Sequence, residues 1–325
     1  MDTMDLGSSR KAILITGACG QIGCAVSHIL RNADREILRA DVGPDIPLDV
    51  LRCDLTSKSE VSRLFQTRSI GAVIHLAGIL PTAFQSAPLS AAEVNLGGSL
   101  ALMRNAAEMH VSRFVFASSM SIYGTALTRR PMTEDDLGTP DDAYGASKRA
   151  IELIGEALRK EAVLQFVSLR IARVIGAGIK KGSSSQWRSQ IFEAPTEGAA
   201  SRQLSAIRIP YSPEAMLSLV HVEDVARMLV TLVDAPATKH AFYNTPVEMW
   251  TAEQLKKAVE ELKGIAIELD KSRTHAGPMC DGRRFAQEFG FQLRGLRDHL
   301  LDGPQAVSAH RAENYSRWES TCTKS

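Results

Sequence analysis

Two ionisable side chains near the middle of the chain have the spacing that acid–base chemistry needs. Tyr144 and Lys148 lie four residues apart in the run Tyr-Gly-Ala-Ser-Lys, so a helix carries both on one face. An ammonium group close to a phenol stabilises the phenolate and lowers a pKa that is ordinarily about 10. The pair therefore predicts a base that takes the proton of a hydroxyl group or returns it. A solvated Tyr and Lys on a helix surface would have the same spacing.

Ser119 supplies a hydroxyl group at the end of a predicted strand. The apolar run 113–118 precedes it, and the carboxyl ends of parallel strands form the ligand crevice of an open α/β sheet. A hydroxyl there can donate to a carbonyl oxygen on which negative charge develops. Ser119 is thus the expected oxyanion-type donor beside Tyr144, and a serine-rich turn without a ligand is the competing interpretation.

Three glycines spaced three residues apart follow the first predicted strand. Residues 12–15 are apolar and Thr16 ends the strand, Gly17, Gly20 and Gly23 come next, and an amphipathic stretch covers residues 21–32. Glycines at a strand-to-helix turn let backbone N–H groups approach a pyrophosphate, which the positive end of the helix dipole also favours. The pattern predicts a dinucleotide site, whereas a tight turn with no ligand would explain three glycines alone.

Acidic residues at the ends of the next two predicted strands refine the cofactor prediction. Asp41 lies about 20 residues beyond the glycines, where a carboxylate binds the ribose hydroxyls of NAD and repels the 2′-phosphate of NADP. Arg39, on the same side of that strand, weakens this preference. Asp54 could receive the adenine amino group or cap the helix that begins near Ser57. NAD is the predicted cofactor.

The order of apolar runs and amphipathic stretches indicates the fold that positions these residues. Short apolar runs alternate with helix-length stretches up to about Arg170, as in repeated βαβ units on a parallel sheet, and the pattern then loosens. We predict an α/β fold, with a Rossmann-type doubly wound parallel sheet in residues 1–170. Residues 171–325 are predicted to form mainly a smaller C-terminal substrate-binding lobe, some of whose segments return to the first domain. The predicted strands are 12–16, 36–40, 50–54, 72–76, 113–118 and 167–170, and the predicted helices are 21–32, 57–66, 91–110 and 144–161.

Composition and charge argue against several other classes of protein. Lys and Arg number 38 against 37 Asp and Glu, so the chain gives no electrostatic reason to expect nucleic acid or an anionic membrane as partner. The five cysteines are scattered without a C-x-x-C pair, so neither a disulfide framework nor a metal site is expected. No apolar run approaches the ~18 residues that span a bilayer. These features predict a cytoplasmic protein with a small-molecule substrate.

The residues discussed so far belong to a longer series of motifs along the chain. They are Thr16-Gly17-x-x-Gly20-x-x-Gly23, Asp41, Asp54-Leu55, His75-Leu76-Ala77-Gly78, Asn95, Ser118-Ser119-x-Ser121-x-Tyr123-Gly124, Tyr144-x-x-x-Lys148, Leu169-Arg170 and His221-Val222-Glu223-Asp224-Val225-Ala226. Together they resemble the extended short-chain dehydrogenase/reductase family, also called the NAD-dependent epimerase/dehydratase family, over nearly the whole chain. The resemblance implies bound NAD and a homodimer, formed through a four-helix interface by the predicted helices 91–110 and 144–161.

The resemblance also implies roles that spacing alone does not identify. Leu76 and Ala77 line the nicotinamide side in such proteins, and Asn95 supports the active-site helix and its waters. His75 and His221 match structural positions, and neither is expected to have metal-ligand neighbours. The implied catalytic residues are Ser119, Tyr144 and Lys148; the implied cofactor-binding residues are Gly17, Gly20, Gln21, Ile22, Gly23, Asp41, Asp54, Leu55, Leu76, Ala77, Gly78, Asn95, Tyr144 and Lys148; the implied substrate residues are Ser119, Met120 and Ser121.

The segments expected to contact substrate depart from the family's pattern. Members that act on nucleotide-diphosphate sugars usually have an Arg-Asp-aromatic triplet where this chain has residues 217–220, and often Phe-Asn where it has Ile171-Ala172. A bulky diphosphate therefore lacks two expected anchors. Residues 183–189 instead offer hydroxyl groups, the Trp187 indole and the Arg188 guanidinium, which suit a small hydroxylated compound that bears a carboxylate. A flexible serine-rich loop is the alternative.

Three functions fit these residues. The first is an NAD-dependent oxidoreductase that transfers a hydride at a carbinol carbon of a small sugar, sugar acid or hydroxy acid. The second is an NAD-dependent epimerase or dehydratase of sugars or nucleotide sugars, with tightly bound NAD. The third is an NAD-binding regulatory protein without turnover, a kind that commonly lacks the Tyr or the Lys. The presence of Ser119, Tyr144 and Lys148 favours the first two.

Overall fold

The computed structural model describes residues 11–43, 46–125, 130–178, 185–193, 206–270 and 273–302, which contain twelve strands and eleven α-helices. The strands are β1 Ala12–Thr16, β2 Ile37–Asp41, β3 Val50–Arg52, β4 Ile70–His75, β5 Arg113–Ser119, β6 Phe166–Ile171, β7 Arg173–Ile175, β8 Ile207–Ile209, β9 Met216–His221, β10 Phe242–Asn244, β11 Glu248–Thr251 and β12 Ile267–Leu269. The helices are α1 Gln21–Asn32, α2 Lys58–Thr67, α3 Pro81–Ser86, α4 Pro88–Ala92, α5 Gly98–Glu108, α6 Ala143–Lys160, α7 Trp187–Glu193, α8 Val222–Asp234, α9 Ala252–Lys263, α10 Arg283–Phe289 and α11 Leu296–Leu301.

A seven-stranded parallel sheet organises the chain, in the order β10-β6-β5-β4-β1-β2-β3. The strand order reverses between β1 and β4, which is where an open sheet of this kind forms its ligand crevice. The predicted Rossmann-type doubly wound fold is confirmed.

The residues of β1 show how the sheet separates two apolar layers. Ile13 and Ile15 face one layer, which contains residues of α1 and α8. Ala12 and Leu14 face the other, which contains residues of α2 and α5. Successive side chains of a strand point to opposite faces, so a strand that is apolar throughout is buried on both sides.

The chain beyond β6 builds a third apolar core. Strands β7, β9 and β11 form a three-stranded sheet, and β8 pairs with β12. These strands pack with α7, α9 and α11. Other segments of this part lie against the large sheet, because β10 is its edge strand and α8 packs on α1. Within the described residues, no helix is long and apolar enough to cross a membrane.

The predicted helix over residues 91–110 is wrong in one respect, because a π-helical turn interrupts it. α4 ends at Ala92, residues Glu93–Gly97 form the wider turn, and α5 continues from Gly98. Asn95 lies in this turn and binds both backbone groups of Ile79, after β4. These two hydrogen bonds tie the π-helical turn to the loop after β4.

Candidate active site

The carboxyl ends of neighbouring strands lie at one edge of the sheet and carry the predicted site residues. β1 runs into the glycine turn, β4 into residues 76–78, and β5 ends at Ser119. Ile171, at the end of β6, is the register partner of Ser119. The structure thus brings the cofactor candidates and the catalytic candidates to the edge at which such sheets bind ligands.

The glycine turn has the geometry that close backbone approach requires. Gly17 has φ +69°, and a Cβ atom there would lie 2.6 Å from the backbone nitrogen of Ala77. A Cβ on Gly23 would lie 2.2 Å from the carbonyl oxygen of Gly17. The Cβ of a residue at position 20 would meet only that same oxygen, at 3.2 Å. Gly17 and Gly23 are therefore needed by the turn itself, whereas Gly20 leaves its surface clear for a ligand.

The first turn of α1 offers backbone donors to an anion. The N-cap of α1 is Gly20, so no side chain caps the N–H groups of this turn. These groups, including the N–H of Ile22, therefore suit a phosphate. The side chain of Gln21 turns towards the other part of the chain and donates to the carbonyl oxygens of Gly176 and Ala177 at 2.6 and 3.1 Å. Gln21 therefore ties the glycine turn to the segment after β7.

Asp41 lies against the glycine turn. Its two carboxylate oxygens accept the backbone N–H groups of Cys19 and Val42, each at 2.7 Å. Arg39 is buried, and its guanidinium donates to Asp49 at 2.8 Å, so its charge is already paired. This pairing leaves Asp41 to set the charge beside the turn, which favours NAD over NADP.

Asp54 forms a local turn of its own. Its carboxylate accepts the N–H and hydroxyl groups of Thr56 at 2.9 and 2.8 Å, and these bonds lower the pKa of Asp54. Ser57 is the N-cap of α2, because its side chain accepts the N–H of Glu60. The capping alternative for Asp54 is therefore wrong. The side chain of the neighbouring Leu55 is buried in the apolar layer that contains α2 and α5.

Asn95 fixes the loop that follows β4. It is buried, and its amide accepts the N–H of Ile79 at 2.6 Å and donates to the carbonyl of Ile79 at 3.0 Å. A Cβ on Gly78 would lie 3.1 Å from the amide oxygen, so the loop passes close to Asn95. Asn95 therefore positions the loop expected to line the nicotinamide, and the turn that carries it packs against α6.

Close packing of α6 on the turn after β5 brings Tyr144 to Ser119. A Cβ on Gly145 would lie 2.4 Å from the carbonyl oxygen of Ser121, so only glycine permits this contact. Asp142 caps α6 by accepting the N–H of Gly145 at 2.6 Å. The phenol of Tyr144 is buried and hydrogen-bonded to the Ser119 side chain.

Burial dominates the ionisation of both groups on the catalytic helix. It raises the pKa of Tyr144 to about 12, and the hydrogen bond with Ser119 acts in the opposite direction. It also lowers the pKa of Lys148 to about 8, against the attraction of Glu152. The Lys148 Nζ donates to the carbonyl of Ala117 at 2.8 Å and lies 5.8 Å from the centre of the Tyr144 ring. The expectation that the Lys148 ammonium lowers the pKa of Tyr144 is wrong, because burial raises that pKa and the group that lowers it is Ser119.

The last residue of β5 and the turn that follows it present two hydroxyl groups to the crevice edge. The Oγ of Ser119 accepts the N–H of Ser121 at 3.1 Å and donates to the Ser121 hydroxyl at 3.1 Å. Met120, between them, is buried in an apolar cluster with Ile122 and Cys280. Of the three residues expected to contact substrate, the two serines are therefore better placed to do so than Met120.

A buried polar network behind the catalytic helix escaped the sequence analysis. Glu152, one turn after Lys148, pairs with Arg170 of β6 at 2.9 Å. Arg170 also donates to the phenol of Tyr123 at 2.6 Å, and that phenol donates to Asn244 at 3.0 Å. The network joins α6, β6 and β10. The signals for it were a charged residue inside the apolar run of β6 and an acid four residues after Lys148.

The segment expected to contact substrate is only partly described. Residues 183–184 lie outside the described residues, and Trp187 is buried. The Nη1 of Arg188 donates to the carbonyl of Val174 at 3.1 Å, and the buried Arg188 Nε has no hydrogen-bond partner in the part of the chain that the structure describes.

His75 occupies a structural position, as the family resemblance implies. Its two ring nitrogens bind the hydroxyl groups of Thr16 and Ser99 at 2.7 and 2.8 Å. Burial, with a smaller contribution from Lys148, lowers the pKa of His75 to about 3, so the ring is neutral. It therefore joins β1 and β4 to α5 and takes no part in proton transfer.

The expectation for His221 is correct for its position but wrong about its neighbours. It is the N-cap of α8, and its Nδ1 accepts the N–H of Glu223 at 3.4 Å. His299 stacks on its ring at 3.6 Å, and candidate ligand atoms of the three residues lie within 4.8 Å of one another. His299 is remote in sequence, so spacing could not show this cluster. Nearly parallel imidazole planes do not direct their lone pairs at one point, which favours a capping role for His221.

The chain matches a known family over most of its described core. Residues 13–244 match the model of the NAD dependent epimerase/dehydratase family. The match runs from β1, which leads into the glycine turn, to the end of β10. It therefore includes the turn and all three catalytic candidates.

Individual proteins of known name are similar at lower identity. The mitochondrial L-threonine 3-dehydrogenase of Bos taurus is 25% identical over 268 residues, which are 78% of this chain and 68% of that protein. The D-erythronate dehydrogenase of Cupriavidus necator is 25% identical over 282 residues, 78% of this chain and 83% of that protein. A crystal structure of Thermus thermophilus UDP-glucose 4-epimerase in complex with NAD has a TM-score of 0.76 and 22% identity, and covers 92% of this chain and 99% of its own. That structure has the same fold.

Proposed function

This chain belongs to the NAD-dependent epimerase/dehydratase family, and from that premise we propose that it oxidises a carbinol carbon of a small sugar, sugar acid or hydroxy acid. The convergence of Tyr144, Lys148 and Ser119 beside the glycine turn carries this proposal. The named similarity to dehydrogenases of threonine and erythronate supports a small substrate.

The glycine turn fits the cofactor of the family. The open face of Gly20, the donors of the first α1 turn and the carboxylate of Asp41 suit a pyrophosphate and a ribose without a 2′-phosphate. Leu76 and Ala77 follow β4 at the same edge and would lie beside the nicotinamide. The chemistry that NAD supplies when bound is a hydride acceptor with a positively charged ring.

The three side chains divide the remaining chemistry. Tyr144 takes the proton of the substrate hydroxyl as the carbinol carbon becomes a carbonyl, and it returns a proton in the reverse reaction. Ser119 has one proton to donate: without substrate it stabilises the phenolate of Tyr144, and with substrate bound it donates to the substrate oxygen. Lys148, with a pKa of about 8, is mainly an ammonium at neutral pH and stabilises the phenolate once it forms.

The test uses the purified protein with NAD or NADP and a panel of hydroxy acids, sugar acids, free sugars and UDP-sugars. NADH absorbance is expected to rise with an acid or a free sugar, and NAD is expected to be preferred. Tyr144→Phe is expected to lower kcat by about 10²–10⁴-fold and to leave the NAD dissociation constant unchanged. Full turnover by this variant would show that Tyr144 is not the base.

A sugar epimerase is the second candidate, because the same three residues serve it and the similar Thermus structure is an epimerase by name. The chain argues against a diphosphate substrate, since residues 217–220 lie in β9 and Leu217 and Leu219 are buried in the third core. No change in NADH absorbance, together with stereochemical conversion of a sugar, would establish the epimerase instead.

The assembly and location are further parts of the proposal. We infer a cytoplasmic homodimer that uses α5 and α6 of each copy. Three apolar side chains on these helices, Leu100, Leu153 and Ile154, are 37%, 49% and 36% exposed, which supports a protein partner there. We also divide the chain into a cofactor domain, residues 1–170, and a part from residue 171 that contributes most of the substrate-binding lobe.

A further inference from the structure

A short segment after β4 lies against Tyr144. It consists of residues 79–92 and contains α3 and α4. The amide of Asn95, three residues beyond the end of α4, binds both backbone groups of Ile79 at 2.6 and 3.0 Å. These bonds hold the two ends of residues 79–92, the cover segment, close together at the crevice edge.

Most of the cover segment is exposed. Among residues 80–90, all of which the structure describes, Phe84 is the one buried side chain. Leu80 and Leu89 are exposed despite their size. Among the described residues, the two apolar layers beside the large sheet and the third core contain no member of this segment. Phe84 is therefore the principal apolar anchor of a segment that belongs to none of these cores.

The anchor of the cover segment is buried against Tyr144. The ring centres of Phe84 and Tyr144 lie 6.1 Å apart and their planes make an angle of 77°, so the rings meet edge to face. With Ala91 they form a small buried cluster, against which Ile79 and Ala92 pack. The side chain expected to exchange a proton with substrate is thus covered by a segment whose two leucines remain exposed.

This contact affects Tyr144 in two ways that matter for proton transfer. It excludes water from one side of the ring, and water exclusion strengthens the electrostatic interactions of a reacting group. It also restricts the orientation of the ring, and a displacement of about 1 Å at a reacting group lowers a rate by about 10²-fold.

We propose that Phe84 is a positioning residue, which holds the cover segment on Tyr144 and keeps the ring dry and correctly oriented for proton exchange with substrate. This inference rests on the proposed function. Phe84 carries no group that reacts, so it acts through Tyr144.

The pH dependence distinguishes this role from a merely structural one. Burial raises the pKa of Tyr144 to about 12, so exposure of the ring lowers that pKa towards its ordinary value of about 10. More phenolate is then present at a given pH, and the ascending limb of kcat/KM for oxidation moves to lower pH. Loss of the Ser119 hydrogen bond acts in the opposite direction, because that bond lowers the pKa.

The cover segment changes burial without changing charge, because it contains no ionisable side chain. The charged groups near Tyr144 on its own helix are Asp142, at the N-cap of α6, and Lys148. The π-helical turn that packs on α6 carries Glu93, which is exposed. A substitution at Phe84 leaves all three in the chain, so a shift in the titration of Tyr144 reports water entry.

A titration of the NAD-saturated protein tests the proposal without any substrate. Tyrosinate absorbance is read after a rapid jump to alkaline pH, before the protein unfolds, and the trace of the matching Tyr144→Phe protein is subtracted to isolate Tyr144 among the five tyrosines. In Phe84→Ala, Tyr144 is expected to titrate about one pH unit lower than in the wild type. Phe84→Leu keeps an apolar side chain and is expected to give an intermediate value. Leu89→Ala is the matched control, since Leu89 lies in the same segment and is 82% exposed, and no shift is expected.

Kinetics with a compound that the substrate panel shows to be oxidised provide the second measurement. Phe84→Ala is expected to lower kcat by about 10–10²-fold, with a smaller change in KM, and to move the ascending limb of kcat/KM to lower pH. Phe84→Leu is expected to restore most of the lost rate, and Leu89→Ala is expected to behave as the wild type.

The outcomes separate this inference from the proposed function. The same Tyr144 titration in the wild type and in Phe84→Ala, with thermal unfolding showing that both are folded, would overturn the role of Phe84. An equal shift in Leu89→Ala would also overturn it, because the effect would not depend on the buried ring. If Tyr144 titrates lower in Phe84→Ala alone but no compound in the panel is oxidised, Phe84 does cover Tyr144 and the proposed reaction is wrong.

Discussion

At the scale of single residues, Ser119 affects both the phenol of Tyr144 and the oxygen of the substrate. Its hydroxyl binds the phenol of Tyr144, and this bond lowers a pKa that burial has raised to about 12. The same hydroxyl is the expected donor to the substrate oxygen. Removing it therefore changes the pH dependence of the reaction as well as its rate, which separates Ser119 from residues that only shape the pocket.

Ser119→Ala is expected to shift the pH profile of oxidation towards alkali. Without the Ser119 bond the pKa of Tyr144 rises, so less phenolate is present at any given pH and the ascending limb of kcat/KM moves to higher pH. The rate at neutral pH is expected to fall by about 10²–10³-fold. Steady-state kinetics across the pH range of a stable fold provide the measurement.

Ser118→Ala is the matched control, because Ser118 precedes Ser119 in β5 and its buried hydroxyl has no hydrogen-bond partner among the described residues. Loss of this hydroxyl leaves no hydrogen-bonding group without a partner. The pH profile is therefore expected to match that of the wild type, and the thermal stability is not expected to fall. A profile that is identical for wild type and Ser119→Ala would show that the serine does not tune the phenol.

At the scale of elements, Gly145 determines where α6 lies. Because this residue has no side chain, the helix can contact the turn after β5. Gly145→Ala places a Cβ 2.4 Å from the Ser121 carbonyl oxygen, so either the helix or the turn must move. Overpacking of this kind costs about 1–3 kcal/mol. A displacement of about 1 Å between Tyr144 and Ser119 is expected to lower kcat about 10²-fold. Thermal unfolding and steady-state kinetics measure the two effects.

Gly43→Ala is the comparison for stability, because among the described residues the new Cβ would contact Ile46 alone, at an ordinary 3.5 Å. Its unfolding temperature is expected to stay close to that of the wild type. Unchanged stability and kcat in Gly145→Ala would mean that α6 and the turn are not held together by this contact.

Some elements could be predicted from local pattern alone. The bounds of β1 and α1 agree with the prediction, because a short apolar run, three glycines and an amphipathic period are all local signals. The interruption of the predicted helix 91–110 depends on a contact between Asn95 and Ile79, and local periodicity does not contain it.

The candidate site shows the same limit. The sequence identified Tyr144 and Lys148 by their spacing, but depth of burial determines both pKa values, and depth depends on elements far apart in the chain. The pairing of Arg170 with Glu152 likewise joins residues of different elements. Spacing within one element therefore finds the reacting groups but not the groups that set their energies.

The proposed homodimer belongs to the scale of the whole molecule. The helices α5 and α6 contact each other and carry Leu100, Leu153 and Ile154 at their surface. A second copy placed on this face buries these side chains, and each Å² of apolar surface removed from water contributes about 25 cal/mol. Since α6 also carries Tyr144, the interface would hold the catalytic helix from the side opposite the sheet.

Leu153→Glu is expected to convert the dimer into a monomer, because it places a charge where a leucine would be desolvated. Sedimentation velocity over a range of protein concentrations is the measurement, with at least a tenfold rise in the dimer dissociation constant expected. Leu301→Glu is the control, since Leu301 is 62% exposed on α11, away from α5 and α6, and is expected to leave the dimer intact. A wild-type protein that sediments as a monomer at all concentrations would contradict the assembly while leaving the chemistry of each chain untouched, because all three catalytic side chains come from one copy.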